Sequence, residues 1–469
     1  MSASPHGLAA KHAAHPHTRF HVVLTSVIAA LAGLLFGLDI GVISGALPFI
    51  ARQFHVNDQM QEWIVSSMMV GAALGALGSG WMAKAIGRKP SLMIGAALFA
   101  CASALCAFAS SPEMLIGGRV LLGIAVGIAS FTAPLYLSEI APRTMRGALI
   151  SLHQLMVTVG ILAAFLSNTA FSGSGDWRWM LGVIAFPAVA LLIGLMFLPR
   201  SPRWLMSKGR NDEAEKILER LRGDRKTVDT EMREISDQLK VEFQGWGLFR
   251  SNPNFRRSVW LGVMLQVMQQ LTGINVVMYY APRIFGLAGY GSAHDQLWGT
   301  VIVGVVNVAA TFIAIGLVDR WGRKPILYTG FTVMALALAT LGAMLHMGIS
   351  GSTSQMIAVA MLLIFIAGFA MSAGPMIWIL CAEIQPIKGR DFGIAASTFV
   401  NWVANTIAGA TFLTLLNTLG HAQTFWLYAV MNAAFLLLTL WLVPETKGVS
   451  LEQLERNLMA GRPLRQLGE

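Results

Sequence analysis

The chain has 469 residues, of which 55% are hydrophobic and only 12% charged, and its mean hydropathy is +0.61. A soluble protein of this size carries about twice that charged share, so a soluble globular fold is excluded. The formal net charge of +10 is split into short clusters between apolar runs, which argues for membrane topology and against nucleic acid as a partner.

The apolar runs are near 20 residues long and do not alternate, so they read as membrane-spanning helices in an all-α integral membrane fold. Residues 1–21 form a polar tail with His6, His12, His15 and His17 among Ala and Pro. Their spacing fits no metal geometry, and the tail reads as solvated and disordered. The first hydrophobic run is too long for a cleavable signal and stays as a span. Six spans are expected near 22–49, 60–83, 91–109, 113–137, 147–170 and 179–198, making one bundle over 22–198. Residues 199–255 are a different kind of sequence. RNDEAEKILERLR and DTEMREISDQL place short apolar stripes among dense charge and read as amphipathic helices in a solvated connector. Six more spans are expected near 256–285, 296–317, 325–345, 355–381, 391–416 and 423–443, a second bundle over 256–443, followed by a tail over 444–469. Cys101, Cys106 and Cys381 all fall in apolar runs and read as small hydrophobes, not as disulfide or metal ligands.

The loops alternate in charge. One set carries Arg88 and Lys89, then Arg143 and Arg146, the connector, Arg320 with Arg323 and Lys324, and Lys388 with Arg390. The other set is poor in Lys and Arg; Arg52, Arg178 and Arg283 stand there singly. The positive-inside rule places both termini and the connector in the cytoplasm. The halves also repeat each other. IGRKP at 86–90 answers WGRKP at 321–325, and APLYLSEIAPRTMRG at 133–147 answers GPMIWILCAEIQPIKGR at 374–390, matching Glu139 to Glu383. Matching motifs in matching loops indicate two six-helix bundles related by duplication, the plan of a rocking transporter with its site between the halves.

The first span holds the most informative residue. LAGLLFGLDIGVISGALPF is apolar but for Asp39. As a helix, Val27 to Phe49 is about 34 Å long, enough to cross a bilayer core of ~30 Å. A carboxylate near the midplane costs ~2.5–3.5 kcal/mol even on lenient scales, so it needs a partner or a watery cavity. Arg119 is the one basic residue well placed for this in the fourth span. Such a pair is weak evidence for stability and better evidence for a switch, because burial favours the neutral carboxyl and the guanidinium favours the carboxylate. The plainer alternative is a helix-end aspartate wetted by a loop.

At this point the motifs carry a family. GLDIGVISGALPF, GRVLLGIAVG, PLYLSEIAPRTMRG, SPRW, QQLTGINVVMYYAP, VDRWGRKP, AGPMIWILCAEIQP and PETKG resemble the sugar porters of the major facilitator superfamily over essentially the whole chain. Within the family the sequence looks most like the bacterial galactose–proton and arabinose–proton symporters. The resemblance implies Asp39 as the proton-coupling carboxylate and Arg119 as its modulator. Passive facilitators of the family generally have a neutral residue in place of Asp39.

Neutral sugars need fixed donor–acceptor pairs, which amides supply, and aromatic faces for the C–H side of the ring. QQLTGINVVMYY offers Gln269, Gln270, Asn275 and Tyr279. On a straight helix Gln269 points away from Asn275; Gly273 offers a break that brings them together. The alternative is amides that bridge helices. The family pattern assigns sugar contacts to Gln269, Gln270 and Asn275, with Tyr279 lining or gating the outer side. It adds Gln154, Asn307, Trp378, Asn401 and Trp402; many related symporters have Gln where Asn401 stands. Trp378 reads as a stacking platform or as core. Phe36 lines the cavity beside Asp39 or faces lipid. Gly374-Pro375 frees backbone carbonyls and bends the tenth span next to the sugar. His153, beside Gln154, reads as a polar packing residue, with proton transfer as the alternative.

Arg88, Glu139 and Arg146 recur as Arg323, Glu383 and Arg390. By resemblance they form a cytoplasmic gate bridging the halves when the protein faces outward; the alternative is inside-positive loops with weak surface pairs. Two departures stand out: Lys84 and Ala85 replace a usual Asp-Arg pair, and Arg200 stands where an acidic residue is common. The expectation is a monomeric transporter of the inner membrane carrying a neutral monosaccharide, galactose or another hexose first and arabinose second, by alternating access. The partners are the sugar, a proton and the lipid bilayer, with no cofactor beyond the coupling proton, no metal and no enzyme activity. The alternatives are a proton-independent facilitator and a non-transporting sugar sensor.

Overall fold

The computed structural model describes residues 16–141, 146–239 and 245–468; residues 1–15, with His6, His12 and His15, lie outside these. Among the described residues, twelve helices are long and apolar enough to cross a membrane. The N-terminal half comprises α1 (Pro16–Phe54), α2 (Asp58–Ala85), α3 (Arg88–Ala107), α4 (Pro112–Ile140), α5 (Arg146–Phe171), and a sixth span in two pieces, α6 (Trp177–Gly182) and α7 (Ala185–Phe197). The connector holds α8 (Pro202–Ser207), α9 (Asn211–Arg222), α10 (Arg225–Leu239) and α11 (Gly245–Ser251). The C-terminal half begins with a seventh span in three pieces, α12 (Pro253–Leu271), α13 (Ile274–Tyr279) and α14 (Ala281–Leu287). It continues with α15 (Ala293–Trp321), α16 (Arg323–Met347), the broken pair α17 (Ser352–Met371) and α18 (Ala373–Glu383), α19 (Arg390–Thr418) and α20 (His421–Leu442), and the tail adds α21 (Leu451–Met459).

The expected disordered tail over 1–21 is too long: the helix already runs at Pro16. Extending a nucleated helix by a turn adds hydrogen bonds without a second nucleation cost, so the apolar span carries its polar lead-in with it. Other ends are set by local chemistry. Asn57 Oδ1 accepts from Met60 N at 2.9 Å, Ser111 Oγ from Met114 N at 3.2 Å ahead of Pro112, and Ser292 Oγ from Asp295 N at 3.0 Å. Each side chain satisfies an N–H that the first helical turn leaves over. Gly87 and Gly322, at matching places in the two GRKP loops, both have φ +97°. That left-handed conformation is open to glycine at little cost and turns the chain within one residue.

Two pairs of helices in the N-terminal half approach unusually closely. On α1, Gly33, Gly37, Gly41 and Gly45 recur every four residues and so share one face. A Cβ on Gly37 would sit 1.9 Å from Val157 O of α5, and one on Gly45 2.5 Å from the Asn168 side chain. Gly160 of α5 returns the contact to Leu34 O at 2.3 Å. Between α2 and α4, a Cβ on Gly71 would meet Val120 O at 2.0 Å and one on Gly123 would meet Met68 O at 1.9 Å. In lipid, where apolar burial alone does not drive helices together, such backbone approach supplies the dispersion contacts that do.

The connector has helices over both stretches read as amphipathic, α9 and α10, and it packs on the N-terminal half, where a solvated connector was expected. Trp204 Nε1 donates to Lys84 O (3.0 Å), Tyr136 OH to Pro199 O (2.6 Å), and Arg222 to Ile140 O (2.9 Å) and Ala141 O (3.3 Å). Glu231 holds Arg222 in place at 2.7 Å. Arg222 thereby caps the carbonyl end of α4 with positive charge, where the helix dipole favours it. At the end of the bundle remote from the basic clusters, two of the isolated arginines also have partners. Arg178 donates to Gln53 Oε1 (3.1 Å) and Ala109 O (3.1 Å), and Arg283 pairs with Asp58 at 3.3 Å.

A Gly37→Ala substitution is expected to destabilise the protein by about 1–3 kcal/mol through overpacking of α1 against α5. Gly78, whose Cβ would meet nothing within 4 Å, is the control: Gly78→Ala leaves the melting temperature of the detergent-purified protein unchanged while Gly37→Ala lowers it.

Candidate functional site

The breaks in two spans bring the polar groups together. Between α12 and α13 the chain turns at Gly273, φ +94°, where a Cβ would meet the Tyr428 ring at 3.0 Å. Between α17 and α18 it turns at Ser372 (φ −127°, ψ −91°), just before Gly374-Pro375. Gln269, 3% exposed, sits at the crossing. Its Nε2 donates to both Ala373 O and Gly374 O at 3.0 Å. Carbonyls beside a helix break thus find an amide partner inside the bundle, as an apolar surround requires.

A chain of amides extends from there. Gln270 Nε2 donates to Gln269 Oε1 (3.4 Å), and Asn275 Nδ2 to Gln270 Oε1. Asn401 Nδ2 donates to Gln269 Oε1 (3.0 Å) and Gln266 Oε1 (2.5 Å), and Gln266 Nε2 to Cys381 Sγ (3.6 Å). Asn405, one turn beyond Asn401, exchanges contacts with Tyr279 OH at 3.3–3.5 Å. Trp402 is buried between them and meets Phe36 of α1 edge-on, 5.7 Å between centroids, so Phe36 packs toward the partner half. The cluster offers donors and acceptors with no net charge, the chemistry that matches hydroxyls of a neutral polyol.

The other expected residues are less tightly joined. Asn307 is buried on α15, and Thr311 Oγ1 donates to its carbonyl at 2.8 Å. Gln154 is half-buried on α5. Trp378 is 40% exposed on α18. His153 lies where α5 meets Gly33 of α1, its Nδ1 3.1 Å from the position of a Cβ there. Gln266 and Asn405 were not anticipated. Their signal was available: Gln266 lies one turn before Gln269 and Gln270, and Asn405 one turn after Asn401.

Asp39 and Arg119 are both fully buried, with Arg119 Nη1 3.7 Å from Asp39 Oδ1. Arg119 Nε donates to Ile64 O of α2 at 2.7 Å. Both carboxylate oxygens and both terminal guanidinium nitrogens lack a hydrogen-bond partner among the described residues. The pair is in ionic contact without being hydrogen-bonded. A structural ion pair buried this deeply compensates its desolvation with good geometry, and this one does not.

At the basic end the pairs stay within each half. Arg88 holds Glu139 at 2.8 Å, whose other oxygen accepts from Ser201 Oγ at 2.5 Å. Arg323 holds Glu383 at 3.1 Å, whose other oxygen accepts from Thr446 Oγ1 at 2.6 Å. The repeat extends to backbone contacts: Arg88 Nη1 reaches Ala83 O and Arg323 Nη1 reaches Val318 O. Arg390 donates to Gln385 O at 3.4 Å; the Arg146 side chain lies outside the described residues. The halves differ at Arg200. In the C-terminal half Glu445 accepts from Arg323 N and Lys324 N (3.0 and 3.1 Å), capping α16. Arg200, in the corresponding place, stacks over Trp204 at 5.5 Å.

Residues 25–458 match the family model described as "Sugar (and other) transporter". The chain is 65% identical to the galactose-proton symporter of Escherichia coli K12 over 441 residues, 94% of this chain and 95% of the relative. It is 57% identical to the arabinose-proton symporter of the same strain over 454 residues, 96% of each. Among solved structures, the partially occluded inward open conformation of the xylose transporter XylE from E. coli superposes with a TM-score of 0.81 at 31% identity, covering 92% of this chain and 100% of that one. XylE bound to 6-bromo-6-deoxy-D-glucose gives 0.76 at 30% identity, covering 96% and 99%. By sequence over nearly its full length and by fold, the chain belongs to the sugar transporter family.

Proposed function

We propose that the chain is a proton-coupled symporter of a neutral monosaccharide, galactose first and arabinose second, that works by alternating access in the inner membrane. The single observation that carries the coupling is the buried Asp39–Arg119 pair, in contact at 3.7 Å with its polar atoms unbonded. Burial favours the neutral form of a carboxyl so placed and a nearby guanidinium favours the charged form, so separating the pair favours proton uptake. The 65% and 57% identical relatives are named for galactose–proton and arabinose–proton symport, which supports the same activity here.

The sugar contacts fall to Gln269, Gln270, Asn275 and Asn401, with Gln154, Asn307 and Gly374 beside them, Phe36, Trp378 and Trp402 as apolar walls and Tyr279 at the outer side. The basic clusters put both termini and the connector in the cytoplasm. With that orientation the end where Arg283 of one half pairs with Asp58 of the other is the outer one, and the form described is read as facing inward, as in the XylE structure of highest overlap quoted above. Arg88–Glu139 and Arg323–Glu383 each pair inside one half here, and with Arg146 and Arg390 they are the residues assigned to bridge the halves in the outward-facing form. On this reading the protein acts as a monomer in the lipid bilayer.

In proteoliposomes with an imposed gradient, the intact protein accumulates radiolabelled galactose. One charge moved across 100 mV is worth ~2.3 kcal/mol, which corresponds to roughly 50-fold accumulation of a neutral sugar. Asp39→Asn is expected to exchange galactose across the membrane and no longer concentrate it. If the intact protein only equilibrates galactose at every pH, the symport reading is wrong and the protein is a facilitator.

Gln269→Ala is expected to raise the KM for galactose exchange by about tenfold or more, since it removes both the sugar-facing amide and the partner of two carbonyls. An unchanged KM removes Gln269 from the site.

A further inference from the structure

The transport reading leaves one buried carboxylate unused. Glu62 of α2 is 2% exposed. Its carboxylate reaches across to the other half of the molecule. Thr414 N, inside α19, donates to Glu62 Oε1 at 2.7 Å, and Thr414 Oγ1 donates to Glu62 Oε2 at 2.7 Å. One turn further out, Asp58 Oδ2 accepts from Asn417 Nδ2 at 2.9 Å and from Arg283 Nη2 at 3.3 Å. These hydrogen bonds cross between the two halves.

The two layers are not equivalent. Asp58 and Arg283 are 27% and 48% exposed, and such a pair contributes little. Glu62 is withdrawn from solvent, so both its oxygens depend on α19. Separating α2 from α19 leaves a buried carboxylate without donors, at a cost larger than the loss of an ordinary hydrogen bond. The same helix turn is held from its own half, because Tyr280 OH donates to Gly409 O at 2.9 Å. Behind Glu62, one turn inward, Val65 is fully buried and faces Gly409. On the backbone of α2, Ile64 O is the acceptor of Arg119 Nε. One helix thus carries both the outer seam and the carbonyl that holds the Asp39 partner.

We propose that Glu62 is the outer latch of the transport cycle: its paired bonds to Thr414 close the outer seam when the cavity faces inward, and they must break before the protein can open outward. The proposal rests on the symport reading and adds a positioning residue to it. Glu62 touches no sugar. Its removal shifts the balance between the two facing states without removing either the amide cluster or the Asp39–Arg119 pair.

The test places Val65→Cys in a transport-competent chain lacking Cys101, Cys106 and Cys381, in right-side-out vesicles. A membrane-impermeant maleimide reads the opening of the outer seam. With Glu62 intact, labelling is slow. Glu62→Gln, which keeps size and loses one acceptor, is expected to speed it by about tenfold or more, the range for bonds to a charged group. Thr414→Val, which removes the hydroxyl donor alone, is expected to give part of that increase, and the two together no more than Glu62→Gln alone. A labelling rate for Glu62→Gln within twofold of the intact protein overturns the proposal. If that variant misfolds, an unchanged rate in Thr414→Val overturns it equally. Labelling needs no sugar, so a chain that fails to accumulate galactose refutes the symport reading while the latch is still read. Unchanged labelling beside normal accumulation refutes the latch alone.

Discussion

A fully buried carboxylate and guanidinium, 3.7 Å apart and without other bonds on the facing atoms, set the terms for the rest of the N-terminal half. Charges withdrawn from water at the centre of a bilayer are tolerated only where the surround is fixed and the partner is held. The surround is fixed by backbone-to-backbone packing along α1 and between α2 and α4, and the partner is held by the Arg119 Nε bond to Ile64 O. The same logic appears without charge in the C-terminal half. There, carbonyls exposed by the break at Ser372 are met by Gln269, and the amides run on through Asn401 to Gln266.

Much of this was legible in the sequence, for physical reasons that differ by feature. The spans followed from hydropathy, because length and apolarity are what a bilayer selects. Asp39 was legible because a lone carboxylate in an apolar run has few explanations, and Arg119 because it was the one basic residue near enough in depth. Gly273 announced a break, and a break is there. Beyond Asp39 and Arg119, what did not show was the pairing of groups through space. Glu62 lies four residues after Asp58 at a span end, and sequence reads that as an ordinary polar helix start; only the fold puts Thr414 against it. The glycines of α1 recur every fourth residue in plain sight, yet their meaning depends on α5 being the neighbour. Gln266 and Asn405 repeat an amide one turn from another, a pattern within reach of helical periodicity. The docking of the connector rests on Arg222 reaching a helix end far away in sequence, which no local pattern reveals.

The basic ends of the two halves resemble each other in detail, down to the carbonyl five residues before Arg88 and Arg323, and differ where Arg200 stands in the place of Glu445. Glu445 joins the tail to the start of α16, so the C-terminal half has its basic end tied by its own tail. In the N-terminal half the connector does this work, through Ser201 on Glu139, Trp204 on Lys84 and Arg222 on the end of α4, while Arg200 lies on Trp204. Duplicated halves that share a scaffold have thus come to hold their ends by different means.

The glycine packing divides the N-terminal half into two bolted plates, α1 with α5 and α2 with α4. Asp39 rides on the first plate and Arg119 on the second. Within either plate, sliding by even one methyl group is opposed by backbone atoms. The 3.7 Å contact between Asp39 and Arg119 therefore joins two units that are each locked within themselves, and its length acts as a gauge of the offset between them.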